Sequence, residues 1–199
     1  MRNPRLSILT NELNLIQNDD IRMFTESVLD SASEKFWRMP ASSTNKYHPR
    51  TSQGVGGLVR HTRQVTNLAN AIMETQLYDD RTTGRMVDRD VVISACILHD
   101  SWKYSPHNHS KYTVRYHGLL AYEEITNLFR ATIATSRVKE RLYLILRCIV
   151  THNGKFTNEI EKIDNHSNAL FRMTPEQKIV CSADYISSRK WNLFDELET

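Results

Sequence analysis

The sequence predicts an all-α fold, and three observations carry that expectation. Only six Gly and five Pro stand among 199 residues, about half the usual share of roughly 12% for these two breakers together. The intervals between them are long, and in each the apolar residues recur at spacings of three and four rather than two. So few breakers disfavour a turn-rich sandwich or barrel, and no stretch carries a convincing strand signal. The length suits a single domain over residues 1–199.

Residues 12–38 read as one or two helices whose apolar side is Leu13, Ile16, Met23, Phe24, Val28, Leu29, Phe36 and Trp37. Residues 58–77 form a clearer helix, striped by Leu58, Val65, Leu68 and Ile72. Residues 88–99 contain VVISACIL, apolar nearly all round and hence central. Helices follow over 118–134 and 137–152, the second striped by Leu142, Ile145, Leu146 and Ile149. Thr174-Pro175-Glu176-Gln177 combines an N-cap threonine, Pro at the first helical position and Gln three residues after the cap, starting a last helix that runs to about 195. The polar stretches at 40–57, 78–87, 101–116 and 154–173 are loops, longer than the connections of a plain bundle. Loops of that length often carry function.

Composition narrows the function classes. The chain is 40% apolar and 25% charged, and no run approaches the ~18 apolar residues of a membrane span. The first residues, MRNPRLSILTNELNLIQNDD, lack the apolar stretch and cleavage site of a secretory signal, so the expected compartment is the cytoplasm. The net charge of +3 comes without a basic tail or block. That excess suits an anionic small-molecule substrate better than duplex nucleic acid or a membrane, and it leaves an oligomer possible. Cys96, Cys148 and Cys181 have no CxxC or CxxH pairing and read as small buried hydrophobes.

The eight histidines carry the chemistry. On the helix from 58, the series Leu58, His61, Val65, Leu68, Ile72 advances by 3, 4, 3 and 4, so His61 faces the core. Val92, Cys96 and His99 repeat the pattern, with Asp100 ending that helix, and Leu142, Ile145, Ile149 and His152 repeat it again. In the last helix Val180 and Asp184 share a face. Four helices thus aim an imidazole or carboxylate inward, and a buried carboxylate without a partner is expensive. A shared divalent ion would satisfy His61, His99, Asp100 and Asp184 at once.

His61 on one helix, the adjacent pair His99-Asp100 closing a very apolar helix, and Asp184 far downstream resemble the HD-domain metal-dependent phosphohydrolase superfamily. The local wording is similar to that family as well: GGLVRHT at 56–62, ACILHDSWK at 95–103 and SADYISSR at 182–189. The resemblance spans a motif region of 56–189, with residues 1–39 as N-terminal helices packing on it. It implies a single-domain HD-type helical bundle with long functional loops. It also implies metal ligation by His61, His99, Asp100 and Asp184, with His117 and His152 matching the extra ligands of the two-metal branch. Lys103 matches a lysine of that branch that holds a substrate phosphate or oxygen. The chain lacks the glycine-tyrosine-proline signature of cyclic-dinucleotide phosphodiesterases. Lys103-Tyr104 also stands where guanosine-tetraphosphate hydrolases carry two acidic residues.

The expected function is hydrolysis of phosphoester or phosphoanhydride bonds in a nucleotide-like small molecule, by water activated on one or two divalent ions. Imidazole with carboxylate favours Mn, Fe, Co, Ni or Zn over Mg. Asp100, with two oxygens, suits the bridging position, and Lys103, one turn beyond His99, suits a catalytic or anion-binding role. Lys46, His48 and Arg50 in NKYHPR at 45–50 form a candidate phosphate clamp just before the helix that carries His61. His107, His109, Lys111 and Arg115 enrich the loop between Asp100 and His117, while His166 reads as surface. The same six ligands would also serve a di-iron oxygenase of this superfamily. A catalytically silent nucleotide-binding module would have no need of six.

Overall fold

The computed structural model describes residues 4–44, 46, 48–79, 84–106, 111–154 and 173–189, and among these every regular element is helical. A 3-10 turn over Pro4–Leu9 leads into α1 (Thr10–Leu13), α2 (Asp19–Ser31) and α3 (Glu34–Arg38). A second 3-10 turn, Arg50–Ser52, precedes α4 (Gly57–Glu74). Then come α5 (Arg89–Leu98), α6 (His117–Thr135), α7 (Lys139–Thr151) and α8 (Pro175–Ser187). The stretch 12–38, expected as one or two helices, is therefore divided among three. Asn18 caps α2 by accepting from the Ile21 amide, and Ala32 and Ser33 separate α2 from α3 in extended backbone. The last helix is described only to Ser187, and the residues beyond 189 lie outside the described set, as do 155–172.

The all-round apolar sequence of α5 makes it the centre of the molecule. Every residue from Val91 to Leu98 is fully buried, and α2, α4, α7 and α8 all pack on it. Polar atoms in this interior are paired: Thr25 and Ser94 hydroxyls meet at 2.7 Å, and buried Asp90 accepts from the Gln17 and Asn18 amides. Arg141 bridges Asp88 and Asp90 from α7, so the start of α5 is tied both to the N-terminal segment and to its neighbour. Helix α6 packs against α7 and is kinked at Phe129. Two sequence expectations fail here. Met23 is 64% exposed, because its position in α2 falls outside the buried set Ile21, Phe24, Val28 and Leu29. Cys181 is only half-buried, whereas Cys96 and Cys148 are buried as expected.

Two local devices fix the helices that matter for the site. The capping box read in the sequence forms at α8: Thr174 Oγ1 accepts from the Gln177 amide, and the Thr174 amide donates to Gln177 Oε1. Ahead of α4, the 40–57 segment folds back on the chain. The Ala41 amide donates to the Ser52 carbonyl, the Gly56 amide to the Arg38 carbonyl and the Leu58 amide to the Met39 carbonyl, each at 2.9 Å. Arg60 gathers the Gln53 and Val55 carbonyls. At Gly57 a side chain has no room: a Cβ there would lie 2.3 Å from the Ser52 carbonyl oxygen.

Gly57→Ala must therefore push the loop away from the start of α4, and a stability loss of about 2 kcal/mol is expected from such overpacking. A urea midpoint equal to that of the unaltered chain would contradict the close approach.

Candidate metal centre

Six side chains from five helices converge at one end of α5. His61 projects from α4. His99 caps α5 and Asp100 follows it, His117 opens α6, His152 caps α7 and Asp184 lies on α8. Their ligand atoms form two trios, His61–His99–Asp184 and Asp100–His117–His152, and within each trio the atoms lie within 4.8 Å of one another. In the first, His61 Nε2 is 3.0 Å and His99 Nε2 3.7 Å from Asp184 Oδ1. In the second, His117 Nε2 is 3.0 Å and His152 Nε2 3.6 Å from Asp100 Oδ1. The other oxygen of Asp100 turns to the first trio, 3.2 Å from His99 Nε2 and 3.7 Å from His61 Nε2. Asp100 is fully buried and offers one oxygen to each side.

The rings are oriented by the backbone. Nδ1 of His99 lies 2.7 Å from the Cys96 carbonyl, that of His117 2.8 Å from Val114, and that of His152 2.6 Å from Ile149. A carbonyl can only accept, so each Nδ1 donates, and in a neutral ring the Nε2 lone pair then points into the centre. Gly118 permits the approach of α6 to the end of α7: a Cβ there would be 3.0 Å from the Ile149 carbonyl oxygen and 3.3 Å from the His152 ring. Sequence reasoning passed over this glycine, although its place directly after His117 was the available signal.

Such a centre fits a cation. His117 Nε2 and His152 Nε2 stand 3.0 Å apart, and with both Nδ1 protons committed, two neutral rings would oppose lone pair to lone pair. His99 Nε2 and Asp100 Oδ1 are buried and have no hydrogen-bond partner among the described residues. Two carboxylates share the enclosure. Burial alone would raise the Asp100 carboxyl, but His99 and Lys103 outweigh it and hold it well below the usual carboxylate range. Burial is likewise overcome at Asp184, by the hydrogen bond from His61 and the charge of His99. At His99 burial is opposed by Asp100 and the net shift is upward. Burial lowers His61, and it pushes His152 down to about 3 with His117 and His99 adding to it. Imidazole and carboxylate at this density are the nitrogen and oxygen donors of a divalent transition metal.

Around the centre lies a cavity of about 540 Å³. Lys103 lines it, with Nζ 2.6 Å from Asp100 Oδ2. So does His48, whose ring stands edge-on to that of His61 with 4.9 Å between centroids. Burial, Lys103 and His61 push His48 down to about 3, and neither of its ring nitrogens has a hydrogen-bond partner among the described residues. Lys46 and Arg50 are exposed and do not line the cavity. Bends at Lys46 and His48 precede the 3-10 turn that begins at Arg50. Lys111 and Arg115 are also exposed, and His107, His109 and His166 lie outside the described residues. The far wall comes from α8 and its end, with Ser182, Tyr185, Ser188 and Arg189. None of these was assigned a role from sequence, although their spacing from Asp184 was the available signal.

The fold and this centre define a class: an all-helical protein with a buried histidine–aspartate cluster able to hold divalent metal. The HD domain pattern matches residues 58–189, well over half of the chain, and the chain belongs to this family, within the HD metal-dependent phosphohydrolase superfamily. Members of that superfamily bind divalent metals and are mostly metal-dependent hydrolases. Among curated proteins and among solved structures nothing matches the chain. No helix among the described residues is long and apolar enough to cross a membrane.

The shifted groups give chelator-treated protein a defined pH response. His48 and His152 are displaced from 6.5 to about 3, so between these values the unfolded chain binds more protons than the native one, and stability falls as pH is lowered. His61, also lowered, adds to this. His99, raised, opposes it, with a contribution complete below 6.5 and lost as pH rises through its native value. Asp100 and Asp184 act in the falling direction only below 3.8. Three lowered imidazoles against one raised predict a melting temperature in EDTA that declines from pH 6.5 to 4.5, with a shallower decline in His48→Asn. A flat profile would contradict the assignment.

Proposed function

We propose that this protein is a metal-dependent hydrolase of phosphate esters or anhydrides in a nucleotide-like small molecule. The observation that carries the reading is Asp100, fully buried, with one oxygen toward each of two trios and Lys103 at 2.6 Å. In this reading His61, His99 and Asp184 would hold one ion, and Asp100, His117 and His152 a second. Divalent ions there would supply Lewis acidity toward phosphoryl oxygens and lower the pKa of a water. The four imidazoles favour Mn, Fe, Co, Ni or Zn over Mg, which prefers oxygen and water.

The chain's own residues do the positioning. The Cys96, Val114 and Ile149 carbonyls hold three rings in the orientation that turns Nε2 inward. Lys103, anchored by Asp100, presents its ammonium to the cavity and is the group to meet a substrate phosphoryl oxygen. His48, whose ring nitrogens have no partner among the described residues, lines the same cavity and supplies a further hydrogen bond to the substrate. Lys46 and Arg50, exposed on that loop, act by raising the local concentration of an anion. A cavity of about 540 Å³ suits a small-molecule substrate.

Stripped protein given Mn(II) under strict anaerobiosis should release phosphate or nucleotide in a screen of nucleotides and generic phosphoesters, because hydrolysis needs no change of oxidation state. Activity that requires iron and O₂ would instead make the chain an oxygenase on the same ligand set. His99→Ala and Asp100→Ala should each lose metal, seen by elemental analysis, and at least about 100-fold in turnover, the upper end of what losing a supporting hydrogen bond gives. Lys103→Gln should keep its metal and lose turnover of anionic substrate. Full metal content in both alanine variants would overturn the proposal.

A further inference from the structure

Four imidazoles belong to the metal centre, and one of them lacks the bond that orients the rest. Nδ1 of His99, of His117 and of His152 donates to a backbone carbonyl. Nδ1 of His61 is buried and has no hydrogen-bond partner among the described residues. His61 stands within α4 rather than at its end, so the unpartnered end-of-helix carbonyl that serves His99 and His152 is not available to it. A metal-ligating histidine almost always donates its other ring N–H to an outer partner, which fixes both the tautomer and the ring. In the metal-free chain His61 Nε2 donates to Asp184 Oδ1 at 3.0 Å. Once Nε2 turns its lone pair to an ion, the ring proton sits on Nδ1 and needs an acceptor.

The ring beside it is His48. The two stand edge-on with centroids 4.9 Å apart, and both nitrogens of His48 are buried without a hydrogen-bond partner among the described residues. Three unsatisfied nitrogens thus meet in one contact between two rings. The spacing suits a bond, since His117 and His152, with centroids also 4.9 Å apart, bring two ring nitrogens to 3.0 Å. The loop that carries His48 is fastened to α4 one turn beyond His61. Ser52 Oγ donates to Gln64 Oε1 at 3.0 Å and Gln64 Nε2 to Thr51 Oγ1 at 3.1 Å, while Gln53 Nε2 donates to the His48 carbonyl at 3.1 Å. We propose that His48 is the positioning partner of His61, accepting a hydrogen bond from Nδ1–H of the metal-ligating ring through one of its own nitrogens. The proton of a neutral His48 then lies on its other nitrogen, which leaves a donor for the cavity that His48 lines. The inference rests on the metal-dependent hydrolase reading for the presence of an ion, and adds to it the residue that sets the orientation of one ligand.

The test is retention of Zn(II) by the full chain in competition with a chromogenic chelator at neutral pH. His48→Phe keeps a ring against His61 and removes both nitrogens, and it should weaken retention at least about tenfold, the lower end of what losing an outer partner gives. Where the phenyl ring is not accommodated and the chain does not fold, His48→Ala is read in its place with the same expectation. His48→Asn and His48→Gln set an amide near the Nδ1 and the Nε2 position, and one of the two should recover most of the loss. Ring N–H signals in the NMR spectrum of the Zn(II)-loaded, isotope-labelled protein give a second reading. His48→Phe should lose a slowly exchanging signal that returns in the recovering amide variant, and since no amide variant has a ring at 48, that signal belongs to His61. Lys178→Gln, an exposed change on α8, should alter neither reading. Equal Zn(II) retention in the unaltered chain and His48→Phe overturns the positioning role. So does an equal loss in His48→Phe and both amide variants, which would make the imidazole itself a ligand or a packing element. An unaltered chain that takes up no Zn(II) overturns the hydrolase reading and this inference with it. A loaded chain whose retention ignores residue 48 overturns the inference alone.

Discussion

Asp100 is a carboxylate with no exposed surface, set where five helices meet, and its charge must be answered from every side. Lys103 answers one oxygen directly, His99 responds with a raised proton affinity, and the other oxygen faces imidazole nitrogens that have no proton to give while neutral. Ionised carboxylates are almost never buried unless paired or coordinated. The ends of α5, α6 and α7 and the middle of α4 and α8 are where they are because each brings one group to this carboxylate. The apolar body of the molecule, centred on α5, supplies the rigidity that keeps so polar a junction from opening to water.

The same backbone solution recurs at three of the histidines. His99, His117 and His152 each donate from Nδ1 to the carbonyl three residues earlier. At His99 and His152 that carbonyl belongs to the last turn of a helix, where the final carbonyls lack helical partners. The helix end thus gains an acceptor's satisfaction, and the ring gains a fixed tautomer. One bond terminates the helix and aims Nε2 at the centre. This is why these three histidines stand at helix ends, unlike His61 within α4, and why their geometry depends on helix boundaries more than on side-chain packing.

Lys103 and Arg189 show how the cavity divides its positive charge. Lys103 is bound to Asp100 three residues before it, so it responds to whatever charge the cluster carries. Arg189 lies with its guanidinium 3.9 Å from the Tyr185 ring centroid.

By itself the sequence determined the helical class, the central place of α5, the capping box of α8 and the inward face of His61, His99 and His152, because these follow from local periodicity and capping chemistry. It placed Met23 inside, because a stripe seen in one dimension does not show which edge of a helix its neighbours leave uncovered. It grouped Lys46, His48 and Arg50 by nearness in the chain, and of the three His48 lines the cavity. It gave no role to Tyr185 and Arg189, whose meaning depends on which wall of which cavity α8 forms. Only the tertiary structure decided that the two oxygens of Asp100 face different trios and that Gly118 lets α6 and α7 close on each other. It alone put Lys103 and Arg189 on separate elements of one cavity. These are distances between segments far apart in the chain, and they are fixed by how helices pack, which local sequence preferences do not encode.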